Sequence, residues 1–355
     1  MLFNIERDNG QVIEGYLVPD GFSEQPWIEV FGNEGLLAEL PCDRVKISIV
    51  EANRHETGLI GFLLDDTVIR DIKDRDFLLI RDKKTKILIY RRAREASLIT
   101  QKILRLETQL LPQIGIDREL SRHFQYYINS AEHYGDETVQ QVFHLDQVKS
   151  IYISGRLLIK NYTSFLNRDF KVFALLQDPY YEMAERLIFF AKHKQLNLDF
   201  LATRDRLLLS PLMSYFSEFS FQDEATISKK IKQIPVDYRK LLRSPVVRQL
   251  TTADPNGEVS YGSVSAALDL LSRMEFIGTR SKLNDFEAAM STYFDQDDLG
   301  TGASRPNSKI QWLADILSNI PSIQNLLEED LILFHYCNTA LKTVEAQTIT
   351  KLEST

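Results

Sequence analysis

The sequence predicts a mixed α/β protein in two parts: a small antiparallel β-sandwich over residues 1–92 and an α/β domain over residues 93–350. In the first part, short runs of alternating apolar and polar residues are separated by Gly, Asn, Asp and Pro turns. In the second part, nearly continuous apolar runs lie between longer stretches at helical spacing, which is typical of a parallel sheet covered by helices. The length of 355 residues agrees with two domains.

Five runs between residues 11 and 92 predict the strands of the sandwich. They are "QVIEGYLV", "PWIEVFG", "DRVKISIVE", "TGLIGFLL" and "FLLIRDKKTKILIYRR". The last of them contains two apolar stretches on either side of "DKKT", which predicts a β-hairpin. Successive side chains of a strand point to opposite faces, so each run is expected to bury one face.

After Ala93 the apolar spacing changes to that of helices and buried strands. The spacing predicts helices over "ASLITQKILRLETQLLPQI" and "DRELSRHFQYYINSAEHYG". Apolar, β-branched runs predict strands at "VKSIYISG", "DFKVFALLQ" and "EFIGT". The remaining stretches are mostly helical, apart from a polar loop at residues 295–309. The second part is therefore expected to have few parallel strands and many helices.

The clearest junction between two elements is "FKVFALLQDPYYEMAERLIFF", residues 170–190. Asp178 is suited to cap the helix that follows, and Pro179 is suited to its first position. An apolar stripe on this helix is formed by Met183, Leu187 and Phe190. Anions bind where helices begin at the carboxyl ends of parallel strands, and Gln177 lies at such a place. A capped corner without a ligand is the alternative.

Composition excludes several classes of function. The net charge of -8 argues against nucleic acid as a partner, because that role needs a basic face. The two cysteines, Cys42 and Cys337, lack metal-ligand spacing and fit a reducing compartment. No apolar run approaches the length of a membrane span. The sequence therefore predicts a cytoplasmic protein without a transmembrane segment and without a metal cofactor.

The segment "VFALLQDPYYEMAERLIFF" resembles the signature of carbohydrate sulfotransferases, Golgi-type and bacterial, that use 3'-phosphoadenylyl sulfate. In that family, an arginine before Asp-Pro and a serine eight residues later bind the 3'-phosphate of the donor. Gln177 and Glu185 occupy those positions here. Two later pieces are similar to the family in the same order, "SPVVRQLTTADPNGEVSYG" with Arg248 and "LLEEDLILFHYCNTA". The resemblance covers roughly residues 88–345 and implies a P-loop-type three-layer fold.

The resemblance also implies a donor site and a catalytic position. The family's 5'-phosphosulfate loop aligns with "IYRRAREASL", residues 89–98, which puts Arg92 at the lysine position and Ser97 at the serine position. "SIYISGRLLIKNYTSFL" falls where related enzymes carry a catalytic histidine, and Arg156 occupies that place. Arginine is not a base at neutral pH, so Lys160 or His144 would have to serve instead.

The predicted function is transfer of sulfate from 3'-phosphoadenylyl sulfate to a hydroxyl of a bacterial surface polysaccharide or lipopolysaccharide. In this prediction, Arg92, Ser97, Gln177, Glu185 and Arg248 bind the donor or its product, adenosine 3',5'-bisphosphate. The alternative is a non-catalytic relative that has lost the donor site and binds glycan or a partner protein. The partners expected are a glycan or a lipid-linked saccharide.

Two further sequence features bear on the function. "IEGYLVPDGFS" and "RHETGLIGFLLD" are similar to small β-modules of rhizobial surface-polysaccharide proteins, over about twenty residues. A third hypothesis is a glycosyltransferase, because "DQDD" at residues 295–298 contains the acidic "D-x-D" pattern that such enzymes use to bind a metal.

Overall fold

The computed structural model describes residues 1–94, 98–145, 148–166, 169–296 and 302–353, with side chains up to residue 343. In chain order the strands are β1 Leu2–Asp8, β2 Ile13–Val18, β3 Trp27–Gly32, β4 Gly35–Pro41, β5 Arg44–Val45, β6 Leu59–Leu64, β7 Phe77–Asp82, β8 Leu88–Ala93, β9 Lys102–Leu106, β10 Tyr126–Ile128, β11 Ile151–Gly155, β12 Phe170–Leu176 and β13 Phe276–Thr279. The helices are α1 Ile47–Glu51, α2 Ile114–Leu120, α3 Asp136–Phe143, α4 Thr163–Leu166, α5 Pro179–Lys192, α6 Thr203–Phe216, α7 Glu224–Lys232, α8 Val236–Leu242, α9 Pro245–Thr251, α10 Tyr261–Ser272, α11 Leu283–Phe294, α12 Ser308–Ser318, α13 Pro321–Leu326 and α14 Glu328–Glu353.

The first eight strands form two antiparallel sheets of four strands each. Their orders are β1-β2-β6-β5 and β4-β3-β7-β8. In β7, alternate side chains are buried, as the sequence pattern predicts. The predicted hairpin is confirmed, because β7 and β8 pair antiparallel and Asp82 accepts hydrogen bonds from the backbone N–H and the hydroxyl of Thr85, both at 2.6 Å.

The last five strands form a parallel sheet with the order β10-β11-β9-β12-β13. Every residue of β9 and β11 is buried, and so is every residue of β12 except Lys171. Strands buried on both faces carry continuous apolar runs, which explains the predicted strands at β11 and β12. The mixed α/β class predicted from the sequence is confirmed.

Strand β9 corrects the sequence analysis, which predicted a helix there. Its five residues, "KILRL", are too few and too uniformly buried to show either period, and Arg105 interrupts the apolar run. The charge of Arg105 is neutralised inside the protein: its Nε and Nη2 each donate to the Asp117 carboxylate at 2.9 Å. The second predicted helix, residues 117–135, is also wrong in part, because β10 lies within it.

Helix α5 forms as predicted. Asp178 accepts hydrogen bonds from the backbone N–H groups of Tyr180 and Tyr181 at 2.9 and 3.1 Å, and Pro179 takes the first helical position. The predicted apolar stripe is fully buried in a core shared with α6, α7 and α12; it consists of Met183, Leu187 and Phe190. Burial of each such side chain contributes roughly 1.5–3 kcal/mol.

The chain divides into two compact units. The first unit comprises Met1–Lys102, Ser121–Asn129 and Tyr134–Ile153, and the second comprises Ile103–Leu120, Ser130–His133 and Ser154–Thr355. Within the described ranges, no helix combines the length and the apolar character needed to cross a lipid bilayer.

Candidate functional site

The candidate site lies in the second unit, at the carboxyl ends of β9 and β12. These strands are neighbours in the sheet, and Thr108 after β9 donates a hydrogen bond to the carbonyl of Leu175 in β12 at 3.4 Å. From β9 the chain continues to β10 on one side of the sheet, whereas from β12 it continues to β13 on the other side. Connections that diverge in this way leave a crevice, which is the usual ligand site of parallel sheets.

The loop that enters this crevice from β9 is occupied by carboxylates of the protein. Glu107, only 1% exposed, accepts hydrogen bonds from the backbone N–H groups of Gln109 and Gln113 at 3.1 and 2.8 Å. The backbone N–H of Leu110 donates to Glu182 of α5 at 2.9 Å. A loop after the first strand of a sheet is a place where converging N–H groups bind phosphate. Here three of those groups already donate to protein carboxylates.

Each carboxylate near this loop has an arginine partner. Arg105 donates to Glu107 at 2.9 Å, and Arg186 donates to Glu182 at 2.7 Å. The third partner is Arg280, which follows β13 and lies 3.5 Å from Glu185. All of these side chains are buried. These arginines offset most of the negative charge that is buried in the crevice, and Arg105 is shared between Glu107 and Asp117.

Glu185 has the most perturbed ionisation in the crevice. Burial, and then the neighbouring charge of Glu182, raise its pKa from the ordinary 4.5 to about 7. One oxygen of each of these two carboxylates has no hydrogen-bond partner among the described residues. Protonation near neutral pH relieves both costs, because a neutral acid loses less on burial and does not repel Glu182.

Residues 302–307, here called the strap, cover the start of α2 and the loop before it. Ser304 donates from its backbone N–H and its hydroxyl to Gln113, both at 3.0 Å, and Arg280 donates to the carbonyl of Ser304 at 2.8 Å. The strap contacts Gly115 so closely that a Cβ atom there would lie 1.9 Å from the carbonyl oxygen of Gly302. The glycine at position 115 is therefore required for the strap to close.

Two of the predicted site residues lie at the end of β12 and in the helix α5 that follows it. Gln177 follows β12 and is 7% exposed, and its side-chain oxygen has no partner among the described residues. Glu185 lies two turns into α5, at the crevice described above.

Two other predicted residues lie in the second unit and are used for structure. Arg156 follows β11; it donates to the carbonyl of Leu110 at 2.6 Å and forms an ion pair with Asp205. Arg248 in α9 donates to backbone carbonyls at the end of α8, including that of Lys240. Burial lowers the pKa of Arg248 to about 10, so it remains a cation at neutral pH. Arg156 is a cation as well, so it supplies no base.

The alignment of the donor loop with residues 89–98 is wrong. Arg92 lies in β8, whose partner β7 runs antiparallel to it. Its guanidinium donates to both oxygens of Asp8, at 2.9 and 2.6 Å, and to the carbonyl of Ile72 at 2.7 Å. The segment that joins the first parallel strand to its helix is residues 107–113. The hairpin signal around "DKKT" already assigned β8 to the antiparallel module.

The remaining predicted residues lie elsewhere or are not described. Lys160 is exposed on a short 3-10 helix, Ile159–Tyr162. His144 is exposed at the end of α3 and lines a cavity of the first unit. Ser97 falls outside the described residues, as do the last two residues of the "DQDD" pattern.

Five residues that define the crevice are not indicated by the sequence pattern. They are Glu107, Gln109, Gln113, Glu182 and Arg280. Glu107 and Gln109 belong to a polar run directly after a short buried strand, which is visible only once β9 is recognised as a strand. Among the described residues, no group of three or more His, Cys, Asp or Glu side chains is arranged to hold a metal ion.

Comparison with models of known protein families and with curated proteins finds no match to this chain. The chemistry of the crevice is therefore inferred from its own residues.

Proposed function

We propose that this chain is a non-catalytic, sulfotransferase-like binding protein that has lost its donor site and binds a glycan. One observation carries the proposal: the N–H groups of the loop after β9 donate to Glu107 and Glu182, at 2.8 to 3.1 Å, where a donor phosphate would bind. The fold proposed with it is a P-loop-type, three-layer domain preceded by a β-sandwich. The parallel sheet, the crevice after its first strand and the resemblance of residues 88–345 support that fold.

A donor phosphate in this loop would meet two carboxylates at close range. Two like charges 4 Å apart repel by about 4 kcal/mol at the effective dielectric of a partly buried site. Displacing Glu107 instead would leave Arg105 with one carboxylate partner, Asp117. Gln177 does not offset this repulsion, because it is neutral and occupies the position of the arginine in the family. Together these costs oppose donor binding.

The test is calorimetric titration of the full chain with adenosine 3',5'-bisphosphate at pH 7.5. We expect no heat of binding up to about 1 mM ligand, which corresponds to a binding free energy weaker than about 4 kcal/mol. A working sulfotransferase titrated with the same ligand is the positive control. Saturable binding to the wild-type chain with Kd below about 100 µM would overturn the proposal.

A matched pair of variants tests whether the Glu107 carboxylate is what prevents donor binding. Glu107→Ala frees the loop N–H groups, whereas Glu258→Ala removes an exposed carboxylate of the same unit. We expect measurable binding of the bisphosphate only with Glu107→Ala. If the wild type is silent and Glu107→Ala is folded but equally silent, then the filled loop is not what excludes the donor.

Sulfate transfer is the second candidate, and Glu185 favours it. A buried carboxylate whose pKa is about 7 is suited to take the proton of an acceptor hydroxyl at neutral pH. In that reaction the hydroxyl oxygen bonds to sulfur, and the bond from sulfur to the donor phosphate breaks. Transfer of labelled sulfate to a polysaccharide, dependent on Glu185 and rising with pH through about 7, would establish this function instead.

A further inference from the structure

A cavity in the first unit has the size and the lining of a ligand site. Its volume is about 560 Å³, within the usual range for sites that bind small molecules. It is bounded by β1, by β8, by the start of β10 and by the end of α3. It is separate from the crevice after β9, which belongs to the second unit.

Aromatic rings provide the apolar part of the lining. Phe3 and Tyr126 are stacked, with ring centroids 6.1 Å apart and planes 20° apart. Tyr90 is held in place because its hydroxyl donates to Asp8 at 2.7 Å, and Tyr16 lies on the neighbouring strand β2. Phe3 and Tyr126 are almost fully buried, whereas the half-buried rings of Tyr16 and Tyr90 present an apolar face next to polar groups. The C–H face of a sugar ring packs well on such a surface.

Polar groups that lack partners supply the rest of the lining. The hydroxyl of Tyr16 and the side-chain amide of Gln125 form no hydrogen bond to the residues that the structure describes. Both side chains are half-buried, so they are accessible from the cavity. An amide and a hydroxyl can each donate and accept, which is what recognition of sugar hydroxyls requires.

The cavity lining holds two carboxylates, Glu6 and Asp8, and two guanidinium groups, Arg7 and Arg91, which favours a neutral ligand. Glu6 pairs with Lys46, and Arg7 pairs with Glu14 at 3.3 Å. Arg91 donates to backbone carbonyls, including that of Phe124 at 2.7 Å. No single sign of charge dominates the lining, so an anionic or cationic ligand would gain little from it.

We infer that this cavity binds a short neutral saccharide, with the sugar ring packed on Tyr16 and its hydroxyls bonded to Gln125 and Tyr16. The inference rests on the proposed binding role of the chain and names the site and the ligand class. It does not depend on the donor crevice, because every residue it uses lies in the first unit.

The test is saturation-transfer NMR of the full chain with maltose and with cellobiose at about 10 mM, a concentration suited to a Kd near 1 mM. We expect transfer from the protein to at least one of the two sugars. Tyr16→Ala and Gln125→Ala should each weaken binding by about tenfold. Tyr261→Ala, which removes an equally large ring that is 70% exposed on α10, should leave binding unchanged.

The outcomes are distinct. Absence of transfer to both sugars would overturn the inference. Binding that is unchanged in each of the three variants Gln125→Ala, Tyr16→Phe and Tyr16→Ala would also overturn it. Stronger transfer to glucuronate than to glucose would overturn the assignment of a neutral ligand. Any of these results leaves the titration with adenosine 3',5'-bisphosphate unaffected, so failure of the sugar site and failure of the proposed loss of the donor site can be told apart.

Discussion

Replacing Glu185 with glutamine should stabilise the protein most at high pH. The pKa of Glu185 is about 7 in the folded chain and 4.5 when the group is unperturbed, because burial and Glu182 disfavour its charge. A carboxyl group with a raised pKa contributes stability that is complete below about pH 4.5 and is lost as the pH rises through 7. The interval between the two pKa values corresponds to about 3 kcal/mol of unfolding free energy.

Glutamine has nearly the shape of the protonated acid and carries no charge at any pH. We therefore expect Glu185→Gln to exceed the wild type by about 1 kcal/mol at pH 5 and by about 3 kcal/mol at pH 8. The measurement is urea unfolding followed by circular dichroism at both pH values. Glu258→Gln, an exposed change in the same unit, should not alter the pH dependence.

Comparing the wild type with Glu185→Gln removes the contributions of other titrating groups from the difference in unfolding free energy. Burial also raises the pKa of Asp330 to about 7, and this contribution has the same sign in the wild type and in the variant. It therefore cancels in the difference between them. Equal pH dependence of wild type and Glu185→Gln would show that Glu185 does not carry the predicted charge cost, and the assignment of the perturbed pKa would be refuted.

Two further substitutions test structural roles. Arg92→Ala should lower the unfolding free energy by about 3 kcal/mol, because it leaves the Asp8 carboxylate without its paired cation. A loss of nucleotide binding at unchanged stability would instead show that Arg92 belongs to a donor site. Gly115→Ala should displace the strap and raise amide hydrogen exchange of residues 302–307 by about tenfold. Gly135→Ala, whose Cβ would meet nothing within 4 Å, is its control, and equal exchange in both variants would contradict the closed strap.

The junction of β12 and α5 was predictable because its signals are local. Asp178 and Pro179 specify a helix start by chemistry confined to one turn, and the apolar run before them is long enough to identify a buried strand. Strand β9 was not predictable by the same means. Its arginine is neutralised by Asp117, twelve residues further along the chain, and only the folded structure reveals that pairing.

The alignment of residues 89–98 with a donor loop follows from the prediction of a helix where β9 forms. With β9 predicted as a helix, the sequence offered no strand before α2, so the loop motif was aligned with the preceding basic segment instead. The carboxylates that accept from the loop after β9 could not be predicted either, because Glu107 and Glu182 are 75 residues apart in the sequence.

The pairing of carboxylates with arginines explains why removal of one glutamate is expected to restore only weak anion binding. The arginines that a phosphate needs are present at the crevice, but Arg105, Arg186 and Arg280 are each paired with a buried glutamate. Removal of Glu182 alone would take from the buried Arg186 its carboxylate partner, which costs about 3 to 5 kcal/mol unless an anion replaces the carboxylate. In the proposed function, the network opposes recovery of strong donor binding, because a change at one glutamate leaves the other carboxylates next to the phosphate.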